Sequence, residues 1–127
     1  MLTLQKLAPV FTVCQVPDFT EVDLNAVFCF TGRTDEENSV VCPVECAPRH
    51  TIRRDDGWRG FRVQGVLDFS LIGILARLAA VLAEAGISIF ALSTYNTDYI
   101  LVRQERFEDA AKALSQAGFT LTDNTDQ

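Results

Sequence analysis

Apolar and polar positions fall into two different rhythms along this chain. Trp58 to Val66 (WRGFRVQGV) alternates apolar and polar residues, the period-two signature of a half-buried strand. From Leu71 the period changes: Leu71, Leu75, Leu78 and Leu82 share one face at helical spacing, and Gly86 sits where a helix C-cap belongs. Asp68 or Ser70 is placed to cap that helix. Ile87–Ser93 and Tyr99–Arg103 then read as two strands around a polar turn. A second helix is expected from Arg106 to Ala117, with Phe107, Ala110, Ala111 and Leu114 on one stripe and Gly118 as its stop. A short strand, Phe119 to Thr122, follows it.

The first half carries the same vocabulary in weaker form. Lys6–Val16 reads as a strand, with Pro9 favouring an edge or irregular start. Pro17–Asn25 reads as a polar connection with room for one helical turn. Ala26–Thr31 and Ser39–Val44 read as strands on either side of a Thr-Asp-Glu-Asn turn. His50–Arg54 reads as a short strand before an Asp55-Asp56-Gly57 turn. The second half is therefore βαββαβ, the ferredoxin-like order. Phe28–Val41 and Phe90–Val102 repeat one pattern of strand, Thr-Asp turn and strand. The expected architecture is α+β: two tandem ferredoxin-like βαββαβ units, the first degenerate, packed side by side, covering residues 1–57 and 58–127.

One helix stands out by composition. Arg77 and Glu84 are the only charges between Leu71 and Ala85, so it is apolar around most of its circumference. A helix covering one sheet face needs a single apolar stripe. The excess fits either a second buried contact or an unusually apolar one-sided helix.

Bulk properties narrow the function. A chain of 127 residues with 48% hydrophobic content is expected to fold, as one domain or two small ones. A formal charge of −6 argues against nucleic acid, because the only dense basic run, Arg49, Arg53 and Arg54, is followed at once by Asp55 and Asp56. The apolar run Leu71–Val81 carries Arg77 and is too short to cross a bilayer. The first residues lack the pattern of a secretory signal, so a cytoplasmic location is expected, with Cys14, Cys29, Cys42 and Cys46 reduced.

Catalytic vocabulary is sparse. The sequence has no G-x-S-x-G, no P-loop and no G-x-G-x-x-G. A Cys–His pair is available only by assembling Cys42, His50 and Asp55, and nothing local marks it as activated. Cys42, Cys46 and His50 resemble a partial zinc set, but the ligand count falls short of a tetrahedral site, and Pro43 and Pro48 prevent a helix from aligning them. No enzyme activity, metal or cofactor is expected. What the chain offers is a helix N-terminus, which attracts carboxylates, with Gly73 in its first turn. Gly73 also suits tight packing of the helix on a strand. Asp98 is the one acidic residue at the entry to an apolar strand; it suits a cationic ligand, an arginine such as Arg62 or Arg103, or closure of the turn with Thr97.

Several segments carry a resemblance: FTVCQVP (Phe11–Pro17), NSVVCP (Asn38–Pro43), GWRGFRVQG (Gly57–Gly65), LDFSLIGILA (Leu67–Ala76) and EAGISIFALSTYNTDYILV (Glu84–Val102). In these the chain resembles ACT domain proteins, and within them the small bacterial two-unit group related to the CASTOR-type arginine sensors. The resemblance implies a non-catalytic regulatory protein with an amino acid or similar small metabolite at a unit or subunit interface. It places Asp68, Ser70, Leu71 and Gly73 on the strand-to-helix loop of the site. Gly86, Ile87 and Ser88 would form the start of the contacting strand, and Asp98 would face a ligand ammonium or guanidinium. A homodimer is the expected assembly, and no segment identifies an effector protein. The first half departs from the family pattern by lacking a long first helix. The competing reading is a ligand-free interaction module that forms oligomers.

Overall fold

The computed structural model describes residues 2–64 and 73–123. Within them the chain order is β1 Thr3–Lys6, β2 Phe11–Val16, β3 Phe30–Arg33, β4 Asn38–Pro43, β5 Arg53–Val63, α1 Ile74–Glu84, β6 Phe90–Ser93, β7 Asp98–Arg103, α2 Phe107–Gln116 and β8 Thr120–Asp123. These elements make a mixed α+β protein of two compact units. One comprises Pro9–Trp58, the other Met1–Ala8 together with Arg59–Gln127. Strand β5 gives its first half to the former and its second half to the latter.

In the helix-bearing unit β6 pairs with β7, β7 with β5, β5 with β1 and β1 with β8. Phe90 stands opposite Leu101 and Ser93 opposite Asp98, while Leu4 faces Val63 and Lys6 faces Phe61, both pairings antiparallel. β1 then runs parallel to β8, Thr3 beside Thr120. This is the ferredoxin-like strand order with one extra strand, β1, entered between the first and last strands. Period-two patterning sends Leu4, Phe61, Val63, Ile100 and Val102 to one face, where Leu78, Leu82, Ala110 and Leu114 of the two helices cover them. Each such large side chain taken out of water contributes on the order of 1.5–3 kcal/mol.

Both helices stop by the same device. The N–H of Ile87 bonds to Leu82 O at 2.9 Å and that of Gly86 to Ala83 O at 3.0 Å; Phe119 bonds to Leu114 O at 3.1 Å and Gly118 to Ser115 O at 3.0 Å. This is the Schellman pairing, which places its glycine at positive φ, here 75° and 104°. The residue after each glycine, Ile87 or Phe119, turns into the core. The apolar excess of α1 resolves into alanine: Ala76, Ala80 and Ala83 join Arg77 and Glu84 on the exposed side, while Leu78 and Leu82 are fully buried.

The other unit keeps the strand order and loses the helices. Its sheet runs β3-β4-β2-β5, each pairing antiparallel, with Phe30 opposite Val41, Phe11 opposite Pro43 and Cys14 opposite Arg54. Cys14, Val16, Val40 and Cys42 form its core, covered by Phe19, Val22, Cys29 and Cys46. Where α1 would lie, residues 17–29 run through Asx-type turns: Asp18 Oδ1 accepts from Thr20 N–H at 3.0 Å and Asp23 Oδ1 from Asn25 N–H at 3.0 Å. Where α2 would lie there is a single 3-10 turn, Val44–Cys46.

Three expected elements differ. Asp55-Asp56-Gly57 is no turn: β5 passes straight through it, and Gly57, at φ 95°, is the extra residue of a bulge between Phe11–Trp58 and Thr12–Asp56. The strand expected from Ala26 begins at Phe30, because Phe28 sits at φ 64° and breaks the extended run. The strand expected over Lys6–Val16 is two, β1 and β2, parted at Pro9.

Candidate functional site

Gly73 is the residue preceding α1, at φ 82°, and its carbonyl accepts the first helical bond from Arg77 N–H at 2.9 Å. A Cβ built there would meet nothing within 4 Å among the described residues, so close packing on a strand does not account for the glycine. Its left-handed backbone does. Asp68, Ser70 and Leu71 lie outside the described residues.

Gly86, Ile87 and Ser88 follow the far end of the same helix. The N–H groups of Gly86 and Ile87 are committed to the helix-stop bonds, and Ile87 is buried in the core. Ser88 is exposed just beyond them. The carbonyls of Ala85 and Gly86 are occupied too: Arg106 donates from Nη2 to Ala85 O at 3.4 Å and from Nη1 to Gly86 O at 3.3 Å. The sequence does not single out that clasp, a cation at the C-terminus of α1; its signal is an arginine immediately before α2 in a chain poor in basic residues.

Asp98 opens β7 opposite Ser93 and accepts a hydrogen bond from Ser93 Oγ at 2.7 Å. It pairs with neither Arg62 nor Arg103. The turn is closed instead by Thr94 N–H to Thr97 O at 3.0 Å, and Thr97, buried, donates Oγ1–H to Val63 O at 2.8 Å. The hairpin tip is thereby fastened beside the end of β5. A shallow cleft of ≈ 300 Å³ next to the tip is lined by Gln5, Arg62, Gln64, Thr94, Asn96, Thr97 and Tyr99, neighbours of Asp98 but not Asp98 itself.

The expected residues thus fall into two groups. Asp98 lies by the end of β5 from which the chain leaves toward Gly73, whereas residues 86–88 lie past the other end of an 11-residue helix. At 1.5 Å rise per residue that helix is about 16 Å long, more than one amino acid spans. Within one copy Gly73 and residues 86–88 are therefore too far apart to surround one amino acid.

The partial zinc set is not assembled. Cys42 is buried in the core, its thiol pushed up to about 12, chiefly by burial. His50 is exposed and its Nδ1 lies 2.8 Å from Glu21 Oε2. Among the described residues no group of His, Cys, Asp and Glu could hold a metal ion, and no helix is long and apolar enough to cross a membrane.

A second cleft, of ≈ 260 Å³, lies in the helix-bearing unit between Lys6, Ala8, Arg59, Phe107, Glu108 and Asp123. Arg59 donates from Nε and Nη2 to Leu7 O, at 3.2 and 2.9 Å, and its guanidinium lies 4.1 Å over the Phe107 ring. Phe107 stacks in turn on Phe61 at 4.7 Å. Burial holds the guanidinium below its ordinary proton affinity, opposed by the nearby Glu108 carboxylate.

A βαββαβ order whose sheet is covered on one face by two helices defines a ferredoxin-like type of domain. A family model described as the ACT domain matches residues 53–116, and the chain belongs to that family. The chain is similar over 99% of its length to 96% of an Agobacterium tumefaciens protein of known crystal structure, at 30% identity and TM-score 0.86. The regulatory subunit of aspartate kinase from Thermus thermophilus shares 12% identity over 91% of this chain and 96% of its own, TM-score 0.63. An aspartate kinase from Clostridium acetobutylicum, described as allosteric, shares 14% identity, TM-score 0.64, over 91% of this chain but 33% of its own. These last two show the fold. No curated protein matches the sequence.

Proposed function

We propose that this chain is a non-catalytic ACT-type regulatory protein that binds an amino acid or similar small metabolite between two copies of itself. The observation that carries the reading is the family match over residues 53–116, seconded by structural likeness to the regulatory subunit of aspartate kinase. The placement of Gly73 and Gly86–Ser88 at opposite ends of α1 favours an interface site, since a second copy would supply the group the first cannot reach. The ligand carboxylate would meet N–H groups around residues 70–73 of one copy, or Ser88 of the other. Its ammonium or basic side chain would meet Asp98. If the sequence resemblance to the CASTOR-type arginine sensors extends to the ligand, arginine is the first amino acid to try. Coupling of ligand to assembly would be worth ~1–3 kcal/mol if it is allosteric.

The test is thermal unfolding of the purified chain against the common amino acids at millimolar concentration. A ligand that binds only the folded protein raises the melting temperature. The proposal expects a rise with one amino acid, or a small chemical set, that Asp98→Ala abolishes. No rise with any of them, in a well-folded oligomer, would remove amino-acid sensing and leave a ligand-free interaction module.

A further inference from the structure

The Arg59 cleft is built like a site, and it does not involve the ends of α1. Two features set its chemistry. First, Arg59 is a cation fixed in place: two of its N–H groups fork onto the single carbonyl of Leu7, and its face rests on a buried, stacked phenylalanine. Among the described residues no carboxylate is hydrogen-bonded to it and its Nη1 donates to no acceptor. The Nη1 edge, with the second hydrogen on Nη2, is the fork that grips a carboxylate through both oxygens. Second, Glu108, in the first turn of α2, lines the same cleft near enough for its charge to act on Arg59, and its exposed carboxylate accepts no hydrogen bond from the described residues. Lys6 and Asp123 close the remaining wall as an ion pair at 3.3 Å and so cancel one another. What is left is one cation and one anion facing a common space.

We propose that this cleft is a binding site for a small zwitterion, an α-amino acid whose carboxylate is held by Arg59 and whose ammonium is held by Glu108. A volume of ≈ 260 Å³ lies just below the range of pockets for drug-sized ligands, which suits a single short amino acid. The site lies within one unit of one copy, so it does not require the interface described above and is independent of it.

The test is an amide-resolved NMR titration of the full chain with amino acids, repeated with Glu108→Gln and with N-acetylated forms of any amino acid that binds. Glu108 is exposed, so its amide variant keeps the fold, and Arg59→Lys serves as a second variant that retains the charge but not the fork. The expected result is shifts at residues 6–8, 59–60 and 107–109. Affinity should fall about tenfold in Glu108→Gln and in Arg59→Lys, the scale of one charge-assisted bond. The N-acetylated form should be insensitive to Glu108→Gln, having no ammonium to lose. Shifts confined to residues 73, 86–88 and 98 would overturn this inference and leave the interface reading standing. Shifts at the cleft that Glu108→Gln and Arg59→Lys leave unchanged in affinity would overturn it as well.

Discussion

The two units of this chain carry the same hairpin and diverge immediately after it. In one, β3 and β4 join through Thr34 N–H to Glu37 O at 2.9 Å; in the other, β6 and β7 join through Thr94 N–H to Thr97 O at 3.0 Å. The landmarks recur sixty positions apart: Phe30 and Phe90 begin the hairpins, Asn38 and Asp98 begin the return strands, Val44 and Gln104 begin a 3-10 turn. Even the residues before those turns match, Pro43 at φ −56°, ψ 144° and Arg103 at φ −57°, ψ 141°. Then the chains part. Phe107 is helical at ψ −45° and starts α2, whereas Ala47 is extended at ψ 141°. Ala47 precedes Pro48, whose ring excludes the helical region for the residue before it. Length then enforces the difference, since residues 47–52 must reach β5 where residues 107–119 reach β8.

A ferredoxin-like unit can lose both of its helices and keep its sheet. The hairpin and strand order survive without helices provided something covers the sheet. In the reduced unit that cover is a turn-rich loop with Phe19 and Val22, over a core of small residues, Cys14, Val16, Val40 and Cys42. In the helix-bearing unit it is two helices over Phe61, Ile100 and Leu82.

Truncating each core would sharpen the contrast most. Leu82→Ala should cost about 2–5 kcal/mol, read as a loss of unfolding free energy in denaturant. Val40→Ala in the reduced unit should cost about 2 kcal/mol, since fewer methylenes leave a core of smaller side chains. Equal costs would mean that the loop packs as densely as the helices.

Gly118→Ala comes next. Alanine at φ 104° should cost about 1 kcal/mol, measured the same way.

Pro48→Ala tests whether proline or length denies the reduced unit its second helix. We expect a stability change within about 0.5 kcal/mol and no new helix by backbone chemical shifts at residues 44–52, because the connection is too short to hold one. A new helix there would place the whole difference on one residue.

The smallest effect is electrostatic. Glu21 is held below its ordinary value of 4.5, first by the hydrogen bond from the His50 side chain and then by that from the His50 backbone. A depressed carboxylate stabilises above its unfolded value and loses that contribution as pH falls through the folded one. Glu21→Gln should therefore lower the melting temperature slightly near neutrality and not at all well below pH 4.5. A difference that persisted in acid would contradict the assignment.

Much of this was legible along the chain. The leucine spacing in α1, the alanine stripe of α2 and the two glycine stops place both helices within three residues of their observed ends, and the hairpin pattern of Phe28–Val41 and Phe90–Val102 shows the repeat. Pairing was not legible. The first strand belongs with Arg59–Val63, a fact set by hydrogen bonds such as Leu7 N–H to Gly60 O at 2.9 Å between residues far apart in sequence. The bulge at Gly57 reads as a turn because Asp-Asp-Gly is turn chemistry in either setting. For the candidate site, the two ends of α1 follow from the helix itself. The fixing of Arg59 does not, since its carbonyl acceptor comes from a residue with no polar side chain, Leu7.

The proposed interface site requires a small ligand and a second copy of this chain to complete it together. Sedimentation equilibrium of the chain, with and without the amino acid that raises its melting temperature, tests that most directly. The dimer dissociation constant should fall in the presence of ligand, and Asp98→Ala should remove the linkage while leaving a folded chain. Ligand bound by a species whose self-association does not change would contradict it.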